Sequence, residues 1–137
     1  MREILAHFKL FHESNTKIVS NFLAFDADTG KVSGIEGPMI HVFNKNESAV
    51  HDSPYFKEIS DRHHIILLGD SVGDLKMADG AAEDAEAMLS VGFLNHHFEE
   101  RLNEYMDRFD VVLVDDQSMD AVNAVLGEIL KPEEERS

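Results

Sequence analysis

The chain has 137 residues, no cysteine and a formal net charge of −15 at pH 7. Its length fits one domain around one core, and 43% hydrophobic with 28% charged residues is an ordinary globular balance. These numbers exclude disulfides and thiolate metal sites, argue against broad nucleic-acid binding because so acidic a surface repels a phosphate backbone, and leave no apolar run near the roughly 20 residues that span a bilayer.

Residues 2–11 place Ile4, Leu5, Phe8 and Phe11 at helical spacing. The start of the chain, interrupted by Arg2, His7 and Lys9, is a helix pattern and not a secretory signal. A cytoplasmic location is the default expectation. Residues 17–20 read as a short strand. Residues 21–25 and 31–35 bracket the turn-rich Asp26-Ala27-Asp28-Thr29-Gly30 and predict a β-hairpin. Residues 39–43 suit another short strand, and Ser53-Pro54 is a helix-start signal.

Ile65-Ile66-Leu67-Leu68 is apolar throughout, as expected of a strand buried on both faces. A short helix follows around Leu75, Met77 and Ala78, then an Ala/Glu-rich helix over residues 81–87 and a strand over 88–94 with a break at Gly92. Residues 97–109 predict a helix with Phe98, Leu102, Tyr105, Met106 and Phe109 on one stripe, and residues 110–114 a strand. The closing helix, 118–130, turns Val122, Val125, Leu126 and Ile129 inward, and residues 131–137 form a charged tail. Strands alternating with helices predict an α/β layered fold with a mostly parallel sheet over residues 1–130.

In parallel sheets, ligands bind beyond the carboxyl ends of the strands. Asp70 stands at such an end, between Gly69 and Gly73, with Asp74 four positions on. Two carboxylates there suit a hard divalent cation such as magnesium. Asp74 suits equally an N-cap of the next helix, and Asp70 a polar residue leaving the core. Lys45, in a polar loop, is either a phosphate-neutralising cation or a solvated lysine. Asp115-Asp116 makes a second acidic strand end, a rival metal site by the same rule or, more simply, a pair that caps the next helix or faces water. The pairs His63-His64 and His96-His97 are poor chelates, because neighbouring side chains diverge on a strand or a helix.

The stretch from Ile65 through Gly69-Asp70-Ser71-Val72-Gly73-Asp74 to Gly80 resembles the last acidic motif of the cytosolic 5′-nucleotidase III family, within the haloacid dehalogenase superfamily. Further matches are residues 18–22, 40–45, Gly92-Phe93-Leu94-Asn95 and Tyr105-Met106-Asp107. The resemblance runs from about Arg2 to Leu130. It implies a three-layer, Rossmann-like haloacid dehalogenase core and magnesium-dependent hydrolysis of nucleoside 5′-monophosphates. It also implies that Lys45 is the catalytic-loop lysine that neutralises phosphate, that Asp70 is a magnesium ligand, direct or through water, and that Asp74 supports it.

The family's first motif, an Asp-x-Asp on an apolar strand, has no counterpart before Lys45. Asp26-Ala27-Asp28 has the right letters and reads instead as a hairpin turn. The expectation is therefore an incomplete core, lacking the N-terminal motif strand and the helical cap, with an exposed strand edge beside residues 65–68 and a tendency to aggregate. The alternative is a non-catalytic short isoform acting as a binding or regulatory module, with a protein partner supplying the missing strand.

Overall fold

The computed structural model describes residues 1–12, 15–37, 39, 61–79, 85–116 and 118–132. The expected strand at 39–43, the helix start at Ser53-Pro54 and Lys45 lie outside the described residues, Met39 excepted, and so do most of the Ala/Glu-rich segment and of the tail. The chain divides into two compact units, residues 1–65 with 73–88, and residues 66–72 with 89–137.

In the first unit, α1 (Arg2–His7) is shorter than the sequence suggests and buries none of its residues. It stops because Lys9 turns into the left-handed region at φ 57°, so Phe8 and Phe11 fall beyond the helix. The Arg2 guanidinium lies 5.2 Å from the Phe11 ring centre. Residues 17–20 form no strand; a β-branched pair in a short polar stretch signals extension, not a partner.

The hairpin is where the sequence puts it. β1 (Phe22–Phe25) pairs antiparallel with β2 (Val32–Glu36), with an irregularity between Ala24 and Phe25. Asp26 staples the turn: its Oδ1 accepts the Thr29 N–H at 2.8 Å, the Thr29 hydroxyl at 2.7 Å and the Asp28 N–H at 3.2 Å. Gly30 supplies the positive φ of 65° that the turn requires. These donors hold the Asp26 carboxyl below its ordinary range, the Thr29 hydroxyl contributing most.

The other sheet has three strands in the order β3 (His64–Gly69), β4 (Ala87–Leu94), β5 (Val111–Val114). β4 and β5 run parallel, with Val91 opposite Val111 and Leu94 opposite Val114. Among the described residues β3 is an edge strand, yet Leu67 is buried and Ile65, Ile66 and Leu68 are half-buried. A 3-10 helix, Val72–Ala78, follows β3. β4 begins at Ala87, so the end of the segment read as Ala/Glu-rich helix is strand instead. It also runs through Gly92 without the expected break. The reason is packing: the ring of Phe109 occupies the space where a Cβ would stand.

In the second unit, α2 (Phe98–Met106) buries Tyr105 and is followed by buried Phe109. Their rings lie 5.4 Å apart. Met106, expected on the same stripe, is exposed. α3 (Asp120–Ile129) buries Val122 only, and Val125, Leu126 and Ile129 stay exposed. A helical stripe tells which side is apolar and says nothing of what covers it. Ser90 and Asp110 tie β4 to the start of β5. Asp110 Oδ2 accepts the Ser90 N–H at 2.8 Å and the Ser90 hydroxyl at 2.7 Å, while the Asp110 N–H donates to Ser90 Oγ at 3.1 Å.

Candidate functional site

Within the second unit, the carboxyl ends of β3, β4 and β5 open on one shallow cleft of about 380 Å³. Leu68, Gly69 and Asp70 line it from β3, Phe93 and Asn95 from β4, and Asp116, Ser118 and Met119 from the segment after β5. This is the edge at which parallel sheets bind ligands, since each strand there hands over to a loop with free backbone and polar side chains.

Asp70 is exposed at the cleft. Its backbone is fixed from behind: the Tyr105 hydroxyl, on a side chain only 1% exposed, donates to the Asp70 carbonyl oxygen at 2.6 Å. The Arg101 guanidinium covers the Tyr105 ring at 4.9 Å. α2 therefore acts as a strut under the residue that follows β3.

Asp115 takes the left-handed conformation at φ 53°, and its N–H donates to the Leu94 carbonyl at 3.0 Å. That bond ties the ends of β4 and β5 together and turns the chain so that Asp116 faces the cleft. Asp116 Oδ1 accepts the Ser118 N–H at 2.8 Å. Donation from the Ser118 backbone, then from its side chain, holds the Asp116 carboxyl below its ordinary range. Of the readings left open for Asp116, the helix cap is not met, since α3 has no side-chain cap bond at its start; Asp116 is instead a half-buried, ionised wall of the cleft.

Asn95 contributes a different feature. Its Oδ1 is buried and has no hydrogen-bond partner among the described residues. Leaving such an acceptor unmet costs about 1–3 kcal/mol. The cleft therefore offers the carboxylates of Asp70 and Asp116, hard oxygen donors of the kind that magnesium takes. Among the described residues no three His, Asp or Glu side chains gather at metal-binding distances.

Of the sequence-predicted site residues, Asp70 lines the cleft. Asp74 falls in the first unit, 3% exposed, inside the first turn of the 3-10 helix and not at its cap. Lys45 lies outside the described residues. Among the described residues the histidines do not gather: His64 lies 3.7 Å from Glu86, and His97 stands at the N-cap position of α2 without a side-chain capping bond, its ring 2.9 Å from Glu100. Asn95 and Ser118 were missed by the sequence reading. The rule that singled out Asp70 would have found Asn95 had it been applied to the end of the second strand as well. No local signal marks Tyr105, whose partner is far away in the chain.

The sequence matches the model of the family described as pyrimidine 5′-nucleotidase (UMPH-1) over residues 1–130. The chain belongs to that family. Curated relatives of this chain include the human 7-methylguanosine phosphate-specific 5′-nucleotidase, 45% identical over 95% of this chain and 42% of its own length. The Drosophila melanogaster enzyme of the same name is 47% identical over 85% of this chain and 36% of its own. A crystal structure of cytosolic 5′-nucleotidase IIIB bound to cytidine superposes with a TM-score of 0.79 at 43% identity, covering 90% of this chain and 41% of that one. The chain thus spans about two fifths of the length of the relatives it matches, and shares their mixed α/β fold. Among the described residues no helix is long and apolar enough to cross a membrane.

Proposed function

We propose that this pyrimidine 5′-nucleotidase family chain forms part of a magnesium-dependent, cytoplasmic hydrolase of nucleoside 5′-monophosphates, built on a haloacid dehalogenase-type core. The observation that carries the reading is the cleft at the carboxyl ends of three strands, with Asp70 and Asp116 in its lining and Asp70 braced by Tyr105. The relatives' names supply the reaction class: one group acts on 7-methylguanosine phosphate, and the solved relative holds cytidine.

In this reading Asp70 holds magnesium, Asp74 supports that site, and Lys45 neutralises the substrate phosphate. Asp116, kept ionised by Ser118, adds negative charge that a cation would balance. Magnesium, when bound, supplies positive charge against the phosphate oxygens and so lowers the barrier to attack by an anionic nucleophile. A chain of net charge −15 needs such a cation before a phosphate can approach its acidic cleft. Asp26 is not the nucleophile in this reading, because its carboxylate is committed to the hairpin turn.

The test is phosphate release from CMP, UMP and 7-methyl-GMP, with and without magnesium, by the folded chain and its Asp70→Ala variant, alongside Mn²⁺ binding as a probe of the magnesium site. Saturable metal binding that Asp70→Ala weakens, without turnover, is the expected result. Turnover that survives both chelation and Asp70→Ala would sink the proposal, as would a folded chain that binds no metal.

A further inference from the structure

Asp70 and Ser71 stand between the end of β3 at Gly69 and the start of the 3-10 helix at Val72, and belong to neither element. Regular ladder or helix geometry therefore does not set the direction in which Asp70 leaves the sheet. The peptide group after its Cα is held by a side chain from far along the chain, since the Asp70 carbonyl oxygen accepts the Tyr105 hydroxyl at 2.6 Å. That bond engages the main chain, so it directs the acidic group without occupying its oxygens. The hydroxyl is itself a fixed post. Tyr105 is buried, with the Phe109 ring 5.4 Å from its own and the Arg101 guanidinium 4.9 Å from its ring centre. A ring so closely packed has little room to swing its hydroxyl elsewhere.

We infer that Tyr105 is a positioning residue for the cleft, its hydroxyl setting the direction in which Asp70 faces a ligand there. The inference rests on the reading of Asp70 as a binding residue of the proposed hydrolase, and adds to it a residue of α2 that acts through Asp70. A buried phenol that merely needs an acceptor supports the fold and nothing more. A positioning hydroxyl has a second effect. Its loss loosens the Asp70–Ser71 peptide and weakens what Asp70 holds, beyond what lost stability alone would do, because a binding group works only while its supporting contacts keep it in place.

The experiment compares the full chain with Tyr105→Phe, which removes only the hydroxyl, and with Ser90→Ala, which weakens the fold through bonds that go to Asp110. One readout is ¹⁵N relaxation at the Ser71 amide, which shares its peptide group with the Asp70 carbonyl. The other is Mn²⁺ affinity by water-proton relaxation. The Ser71 amide should show the order parameter of rigid backbone, about 0.85, in wild type and fall below about 0.6 in Tyr105→Phe. Mn²⁺ binding should weaken by about tenfold in Tyr105→Phe, the usual effect of losing a group that orients a metal's ligand, and stay unchanged in Ser90→Ala. The inference is overturned, with the magnesium reading left standing, if the Ser71 amide is equally ordered in both chains, if Tyr105→Phe leaves the affinity unchanged, or if Ser90→Ala lowers it as much. A wild-type chain that binds no Mn²⁺ overturns the magnesium reading. The Ser71 amide then decides alone: order lost in Tyr105→Phe supports the positioning role, and order kept overturns it. If Tyr105→Phe does not fold, relaxation of the wild-type chain gives the answer, since a Ser71 amide as rigid as β4 supports the inference and a mobile one overturns it.

Discussion

Asp110 and Ser90 show how much one side chain can settle. Ser90 is buried in β4, and its hydroxyl both donates to Asp110 and accepts the Asp110 N–H. The hydroxyl of Ser90, then its backbone N–H, holds the Asp110 carboxyl below its ordinary value of 3.8. A carboxyl whose folded-state pKa is depressed stabilises the fold in full above its unfolded pKa. That contribution fades as pH falls below about 4 through the folded value. Ser90→Ala removes the largest cause and leaves the Asp110 N–H without its acceptor, at a cost of about 1–2 kcal/mol near neutral pH. Carbon-detected NMR titration should show the Asp110 pKa rising toward 3.8 in the variant, and urea melts should show the stability gap to wild type narrowing on acidification. A gap that widens as pH falls would refute the assignment. Asp116 follows the same sign, so the cleft keeps its negative charge throughout the physiological range.

At the scale of elements, β4 depends on a missing side chain. A Cβ on Gly92 would meet two ring carbons of Phe109 at 2.6 and 2.8 Å. That ring is buried and has little room to retreat. Alanine in a strand interior should otherwise gain about 0.5–1 kcal/mol over glycine, but overpacking a filled core costs about 1–3 kcal/mol. The clash wins, so Gly92→Ala should lower the melting midpoint by several degrees, and Phe109→Leu in the same chain should recover part of the loss. An unchanged midpoint in Gly92→Ala would show that the ring moves freely. The same glycine explains one misreading of the sequence, where it looked like a strand break. Short apolar runs such as Ile65–Leu68 and Val111–Val114, and the Asp26–Gly30 turn, were legible because their signals are local. Helix ends were not: Lys9 ends α1 by a backbone conformation that its side chain does not announce. Of the cleft, Asp70 was legible as a strand end. Asn95 and the brace from Tyr105 depend on which strands lie together, a long-range fact that spacing cannot carry.

For the whole chain, exposed apolar surface among the described residues includes one face that the sequence did not single out. Among the described residues the strand expected at the edge, 65–68, does stand at the edge of its sheet, with side chains that are buried or half-buried. The hairpin instead leaves Phe22, Leu23, Phe25 and Val32 each at least 50% exposed. A two-stranded hairpin is marginal by itself, and large apolar side chains in water favour association. Against that stands a net charge of −15, which makes copies of the chain repel one another. Charge repulsion reaches about 10 Å at 0.1 M salt and only about 3 Å at 1 M, whereas apolar association persists. Self-association should therefore grow with sodium chloride. Sedimentation velocity should find the chain smaller at low salt and larger at high salt, and Leu23→Glu with Phe25→Glu should abolish the rise at little cost to folding, since both positions are already solvated. If the assembly is indifferent to salt, or survives both substitutions, the hairpin is not the surface that drives it.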